Sequence, residues 1–115
     1  MRYLLFCFSA VMLFAQDADL EQALSSPRQR IDSIDGQIVM LLNERAQVVR
    51  DVGLIKKRFH APASAPGREE QVVRRVAAQA SAPLASSAVE AIYRVILREM
   101  AAMEQVEIER PGGRQ

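Results

Sequence analysis

The stretch PRQRIDSIDGQIVMLLNERAQVVRDVGLIKKRF, running from Pro27 to Phe59, decides the fold. Apolar residues recur in it at alternating three- and four-residue steps: Ile31, Ile34, Ile38, Leu41, then Val48, Val52, Ile55 and Phe59. The single interruption of the series is Arg45. A 3-4 spacing held this long predicts a long helix packed lengthwise against other helices, with the seam facing the interior. Arg45 then points inward. A guanidinium stays charged at any ordinary pH, and burying it costs on the order of several kcal/mol unless an anion meets it. Its neighbours within a turn are Leu41, Leu42, Val48 and Val49, so the counter-charge is either a structural ion pair from another helix or a bound anionic ligand.

Local signals set the limits of this helix and of two more. Ser26, Pro27 and Gln29 supply an N-cap, a first-turn proline and a capping-box glutamine, and no strong breaker follows until Pro62. Gly53 inside the helix costs about 1 kcal/mol relative to alanine, which points to close approach of another backbone or a ligand. Between His60 and Gly67 the residues are small or proline, giving either a plain turn or a lid over a site. A second helix is expected from Arg68 to Ala80 with Val72, Val73 and Val76 on its apolar side, broken by Ser81 to Pro83. A third runs from Leu84 to Glu109 with a stripe of Val89, Ile92, Ile96, Met103 and Val106. Arg110, Pro111, Gly112 and Gly113 open a flexible tail over 110–115.

The fold class is therefore all-α, three helices with a long N-terminal one. At 1.5 Å per residue that helix is roughly 50 Å long, whereas a compact 100-residue domain has a radius of gyration of only about 13 Å. Half of its seam needs a cover from outside the chain, and a second copy supplies it most simply. An intertwined homodimer is expected.

At 115 residues and 50% hydrophobic content the chain holds one domain at most. Met1 and Arg2 precede an apolar run from Tyr3 to Ala15 that is too short to span a bilayer and suits the core of a secretory signal. Residues 1–15 are thus read as a cleaved signal peptide, 16–26 as a short N-terminal segment and 27–109 as the helical domain. The mature protein is expected in the periplasm or outside the cell, with no membrane attachment after cleavage, and in the cytoplasm if the signal goes unused. Cys7, the only cysteine, lies within the signal, so the mature chain has no thiol and no cysteine metal ligand. Arg2 is the only charge in the first 15 residues; without it 14 basic and 14 acidic residues remain, and there is no electrostatic case for nucleic acid or an acidic membrane surface. No Gly-rich phosphate loop, His pair or Ser/His/Asp set occurs, no metal or cofactor is expected, and His60 is assigned nothing.

Arg45 and Lys56 are eleven residues apart, close to three helical turns, so they share a face about 16 Å apart at the backbone and converge on one small molecule. Arg28 precedes Arg45 by seventeen residues, about 25 Å along the helix, and reaches such a site only from a twofold partner running antiparallel. Arg68 and Glu69 open the second helix, and Gln105 lies near the end of the third.

In order and spacing these residues resemble the all-helical, type II class of chorismate mutases. The pattern is carried by Arg28 with Ile31 and Asp35, Leu41-Leu42-Asn43-Glu44-Arg45, Gly53 to Lys56, Arg68-Glu69, and Gln105, with no insertion assumed between Arg28 and Gln105. The likeness covers about the last ninety residues. It implies conversion of the dianion chorismate to prephenate, an isomerisation of the route to aromatic amino acids in which an ether bond breaks as a carbon–carbon bond forms. No nucleophile, metal or cofactor is needed; the enzyme holds both carboxylates with the chain folded over the ring and stabilises charge on the ether oxygen. By this resemblance Arg45 and the partner's Arg28 clamp the carboxylates, Lys56 and Gln105 donate to the ether oxygen, Glu69 accepts from the ring hydroxyl, and Arg68 fixes local charge beside it.

Two positions depart from the pattern: Ala65 stands where relatives often carry an acid and offers only its backbone N–H, and Ala101 stands where they carry a serine. The second departure is expected to lower affinity more than intrinsic rate. Isochorismate-pyruvate lyase, which shares the fold and the Arg/Arg/Lys/Gln core, is the nearest alternative. The Arg68-Glu69-Glu70 start of the second helix favours the mutase, since an acceptor there suits chorismate's hydroxyl. A non-catalytic exported helical dimer is the alternative of a different class, and the intact cationic set argues against it.

Overall fold

The computed structural model describes residues 4–112, with side chains from Phe14 onward. Three helices appear, α1 (Leu4–Arg58), α2 (Pro66–Ala77) and α3 (Ser86–Glu109), and no strand occurs among the described residues. The all-α class and the long first helix are as expected. The start of that helix is not: α1 begins at Leu4, and Pro27 lies inside it. Asp17 to Ser26 is rich in Ala, Leu, Glu and Gln, all good helix formers, and Leu20 and Leu24 continue the 3-4 seam upstream of Pro27. A proline forgoes one backbone hydrogen bond, at a cost of about 3 kcal/mol in a helix interior, without having to end the helix. Of the expected signal segment, residues 1–3 lie outside the described residues, as do residues 113–115 of the expected tail. No described helix is long and apolar enough to cross a membrane.

The chain divides into two units, one up to Leu42 and one from Asn43 onward. In the first, Ile31, Ile34, Ile38 and Leu41 are all about half exposed or more, so the seam has no cover there. In the second, the last turns of α1 meet α3, and the seam is again uncovered: Val48 is 60% exposed and Phe59 73%. The expectation that the seam faces the interior therefore fails within one chain. The face of α1 that meets α3 is the one carrying Gly53, where an added Cβ would stand 3.3 Å from Glu104 Cγ and 3.5 Å from the Glu104 carbonyl oxygen. Close backbone approach at Gly53, expected from the sequence, is present.

α1 ends in a tight reversal. His60 has φ 53°, its N–H donates to the Lys57 carbonyl at 3.2 Å, and the Ala61 N–H donates to the Lys56 carbonyl at 2.8 Å. This is the Schellman arrangement, with a left-handed residue where glycine is commonest. α2 starts on Pro66, buries Val72 and Val73 against α3, and stops three residues short of the expected end. Arg94 of α3 bridges to Glu70 of α2 at 2.8 Å and to Glu90 of its own helix at 2.8 Å. The hydrogen bond and charge of Arg94 hold the Glu70 carboxyl below the usual carboxylate range, and both carboxylates push the Arg94 guanidinium further up.

The stripe expected on α3 is corrected. Ile92 and Val106 are exposed, whereas Glu104 and Glu107 are the buried residues of that helix. Opposite charges on α1 explain the exchange: Lys56 meets Glu104 at 2.7 Å and Arg50 meets Glu107 at 3.6 Å. Arg110, expected in the loose tail, also turns back to Glu107 at 3.4 Å, and its carbonyl accepts from Lys57.

Candidate functional site

Within the second unit, the end of α1, the connection after it, α2 and α3 enclose a pocket of about 310 Å³. α1 contributes Arg45, Val48, Val52 and Lys56, residues spaced at three and four along one face. The connection contributes Ala63 and Ala65, so it forms a wall of the pocket. From α2 come Arg68, Glu69, Val72 and Arg75; from α3, Leu97, Met100, Ala101 and Glu104, again one helical face.

Lys56 is fixed from two sides. Its Nζ donates to the Ala63 carbonyl at 2.8 Å and lies 2.7 Å from Glu104 Oε1. Glu104 is only 7% exposed. Its Oε1 meets the Lys56 ammonium at 2.7 Å and has no other hydrogen-bonding partner among the described residues, and Glu104 lines the pocket.

The arginines of the pocket are in the opposite condition. Arg45 is half-buried, and none of Arg45, Arg68 and Arg75 has a carboxylate within 4.0 Å among the described residues. Of the two origins open for a counter-charge to Arg45, the structural ion pair is not formed among the described residues. Four cations, Arg45, Lys56, Arg68 and Arg75, face two carboxylates, Glu69 and Glu104, across a cavity with apolar walls. That surplus, in a partly desolvated cleft, suits a small dianion whose carboxylates accept bidentate guanidinium hydrogen bonds.

The sequence matches the chorismate mutase type II family over residues 27–105. The chain belongs to that family. It is 34% identical over 86 residues to a bifunctional chorismate mutase/prephenate dehydratase of Neisseria gonorrhoeae, covering 75% of this chain and 23% of that protein. It is 34% identical over 55 residues to a chorismate mutase of Methanocaldococcus jannaschii, covering 48% of this chain and 56% of that one. A T-protein of Haemophilus influenzae is 33% identical over 85 residues, 72% of this chain and 22% of its own length. The chain spans about a quarter or less of the bifunctional relatives it matches.

Seen beside the chorismate mutase pattern, the pocket brings together Arg45, Lys56, Ala65, Arg68, Glu69 and Ala101. Arg28 belongs to the first unit, where it pairs with Glu21 at 2.5 Å. Gln105 is corrected: it is exposed, its amide donates to Glu109 at 2.6 Å, and it does not line the pocket. One helical step is 100°, so once Leu97, Ala101 and Glu104 face inward, Gln105 is turned away. The residues missed from the sequence are Glu104, Met100 and Arg75. For Glu104 a signal existed, since a carboxylate three and four residues after Ala101 and Met100 interrupts the inward face of α3 as Arg45 interrupts the seam of α1.

Proposed function

We propose that the chain is a chorismate mutase, rearranging chorismate to prephenate in the route to aromatic amino acids. The observation that carries the reading is the half-buried Arg45, without a carboxylate partner among the described residues, sharing one face of α1 with Lys56 in a pocket with a surplus of positive charge. The reaction is an intramolecular isomerisation, so nothing enters or leaves: the ether C–O bond breaks while the new C–C bond forms. The protein supplies orientation and charge.

Arg45 and Arg68 take the substrate's carboxylates, with the partner's Arg28 joining from a second copy of the chain. Lys56, held by Ala63 and Glu104, donates to the ether oxygen as negative charge grows there. Glu104 occupies the place expected of Gln105. As the carboxylate beside Lys56 it steadies the ammonium that donates to the ether oxygen. Glu69 accepts from the ring hydroxyl, and Ala101 offers no donor, so affinity rests on the cations. The exposed seam from Ile31 to Phe59 supports the homodimer, since only three apolar side chains are buried among the described residues. The apolar run before Ala15 supports export to the periplasm or beyond.

The test is incubation of the purified protein with chorismate, and separately with isochorismate, with identification of products. Prephenate from chorismate is the expected result. Salicylate and pyruvate from isochorismate, with no prephenate, would reject the mutase.

A further inference from the structure

The pocket wall formed by α2 carries two arginines, Arg68 and Arg75, seven residues and therefore two turns apart, about 10 Å along the helix axis. Val72 lies between them on the same face and is buried. Arg75 has no carboxylate partner among the described residues, although Glu69 and Glu104 line the same cavity. Its backbone carbonyl is used, accepting from the Gln79 amide, while its guanidinium makes no hydrogen bond or ion pair among the described residues. Arg94, on the outer side of α2 and α3, shows that this sequence does provide carboxylates where an arginine serves to tie helices together.

We propose that Arg75 is a substrate-binding residue of this pocket, contacting a carboxylate of the bound dianion from the far end of the α2 wall. The inference rests on the mutase reading and extends it. With Arg45 and Arg68, it gives one chain three guanidinium groups for two carboxylates. Capture of the dianion then depends on a residue of the same chain, beyond whatever a partner copy delivers. Because Arg75 is exposed at the rim, its contribution falls on affinity and not on the rearrangement itself.

The experiment compares the full chain with Arg75→Ala, Arg75→Lys and, as a control, Arg74→Ala, whose side chain does not line the pocket. Steady-state turnover of chorismate is measured at low and high ionic strength, and chorismate binding is measured by calorimetry. Arg75→Ala is expected to raise KM and Kd about tenfold or more, with kcat within about twofold of the parent and a weaker salt dependence of kcat/KM. Arg75→Lys restores the salt dependence and only part of the affinity, since it lacks the planar fork. Arg74→Ala matches the parent. Unchanged KM, Kd and salt dependence in Arg75→Ala would overturn the proposal. A parent that binds chorismate without turning it over would reject the mutase and leave Arg75 to be judged on Kd. A parent that binds chorismate no better than Arg75→Ala would overturn the Arg75 assignment itself.

Discussion

Arg45 and Arg94 are the same side chain in opposite surroundings. Arg94 is exposed and held by two carboxylates, Glu70 from α2 and Glu90 from its own helix. Arg45 is half-buried, lines a pocket and has no carboxylate within 4.0 Å among the described residues. Stability alone would arrange them the other way round, because an exposed cation needs no partner and a partly buried one does. The chain thus gives up stabilisation at Arg45, and on the proposed mutase reading the missing counter-ion is the substrate's to supply.

Lys56 stands between these two conditions, since its partner Glu104 is itself in the pocket. Lys56→Ala is expected to lower kcat/KM by about 10² to 10³ and also to lower Tm, because it strands the Glu104 carboxylate. Steady-state kinetics and thermal melts on one preparation check both; a loss of activity with Tm unchanged would show that the pair carries no structural load. Glu104→Gln keeps an oxygen acceptor for Lys56 without the charge and should hold kcat within about tenfold of the parent, whereas Glu104→Ala should lose about 10². Equal rates in the two variants would remove Glu104 from the chemistry.

Gly53→Ala acts on the pocket at a distance from the substrate. The added methyl group would lie 3.3 Å from Glu104 Cγ, so α3 or the Glu104 side chain must give by a few tenths of an ångström. A loss of about 1 kcal/mol in stability and a fall in kcat of about tenfold are expected from chemical denaturation and turnover. The smallest effect belongs to the exposed pair. Glu70→Ala should leave turnover unchanged and lower Tm slightly at neutral pH. Because Arg94 depresses the folded-state value of Glu70, that contribution is present above the ordinary carboxylate range and fades as pH falls through the lowered value. Melts of parent and variant should therefore converge as pH falls below the ordinary carboxylate range.

The three helices were legible because periodicity and breakers agree: a 3-4 seam ending before Pro62, a second helix between Gly67 and Ser81, and a third stopping before Pro111. The start of α1 was not, since Ser26-Pro27-Arg28-Gln29 reads as a cap locally while the residues before it are helix formers that override the signal. Arg45, Lys56, Arg68 and Glu69 were found on one site because their spacing lies within or close to α1 and α2. Gln105 was misplaced by about 100° because the segment between α2 and α3 sets the rotation of α3, and counting from Arg28 without an insertion carries no knowledge of that rotation. Buried glutamates on an apolar stripe were overlooked for a different reason: their cations lie on another helix, about fifty residues away in sequence.

Arg45→Ala separates a charge kept for a ligand from a charge kept for the fold. Chorismate turnover and the thermal melt of this variant should be recorded beside those of the parent. Loss of at least about 10² in kcat/KM with a Tm equal to or above the parent's is the expected result, since the substitution removes an unpaired, partly desolvated cation. A variant that turns over chorismate at the parental rate, or that unfolds before it can be assayed, would contradict the reading of Arg45 as the substrate's counter-ion.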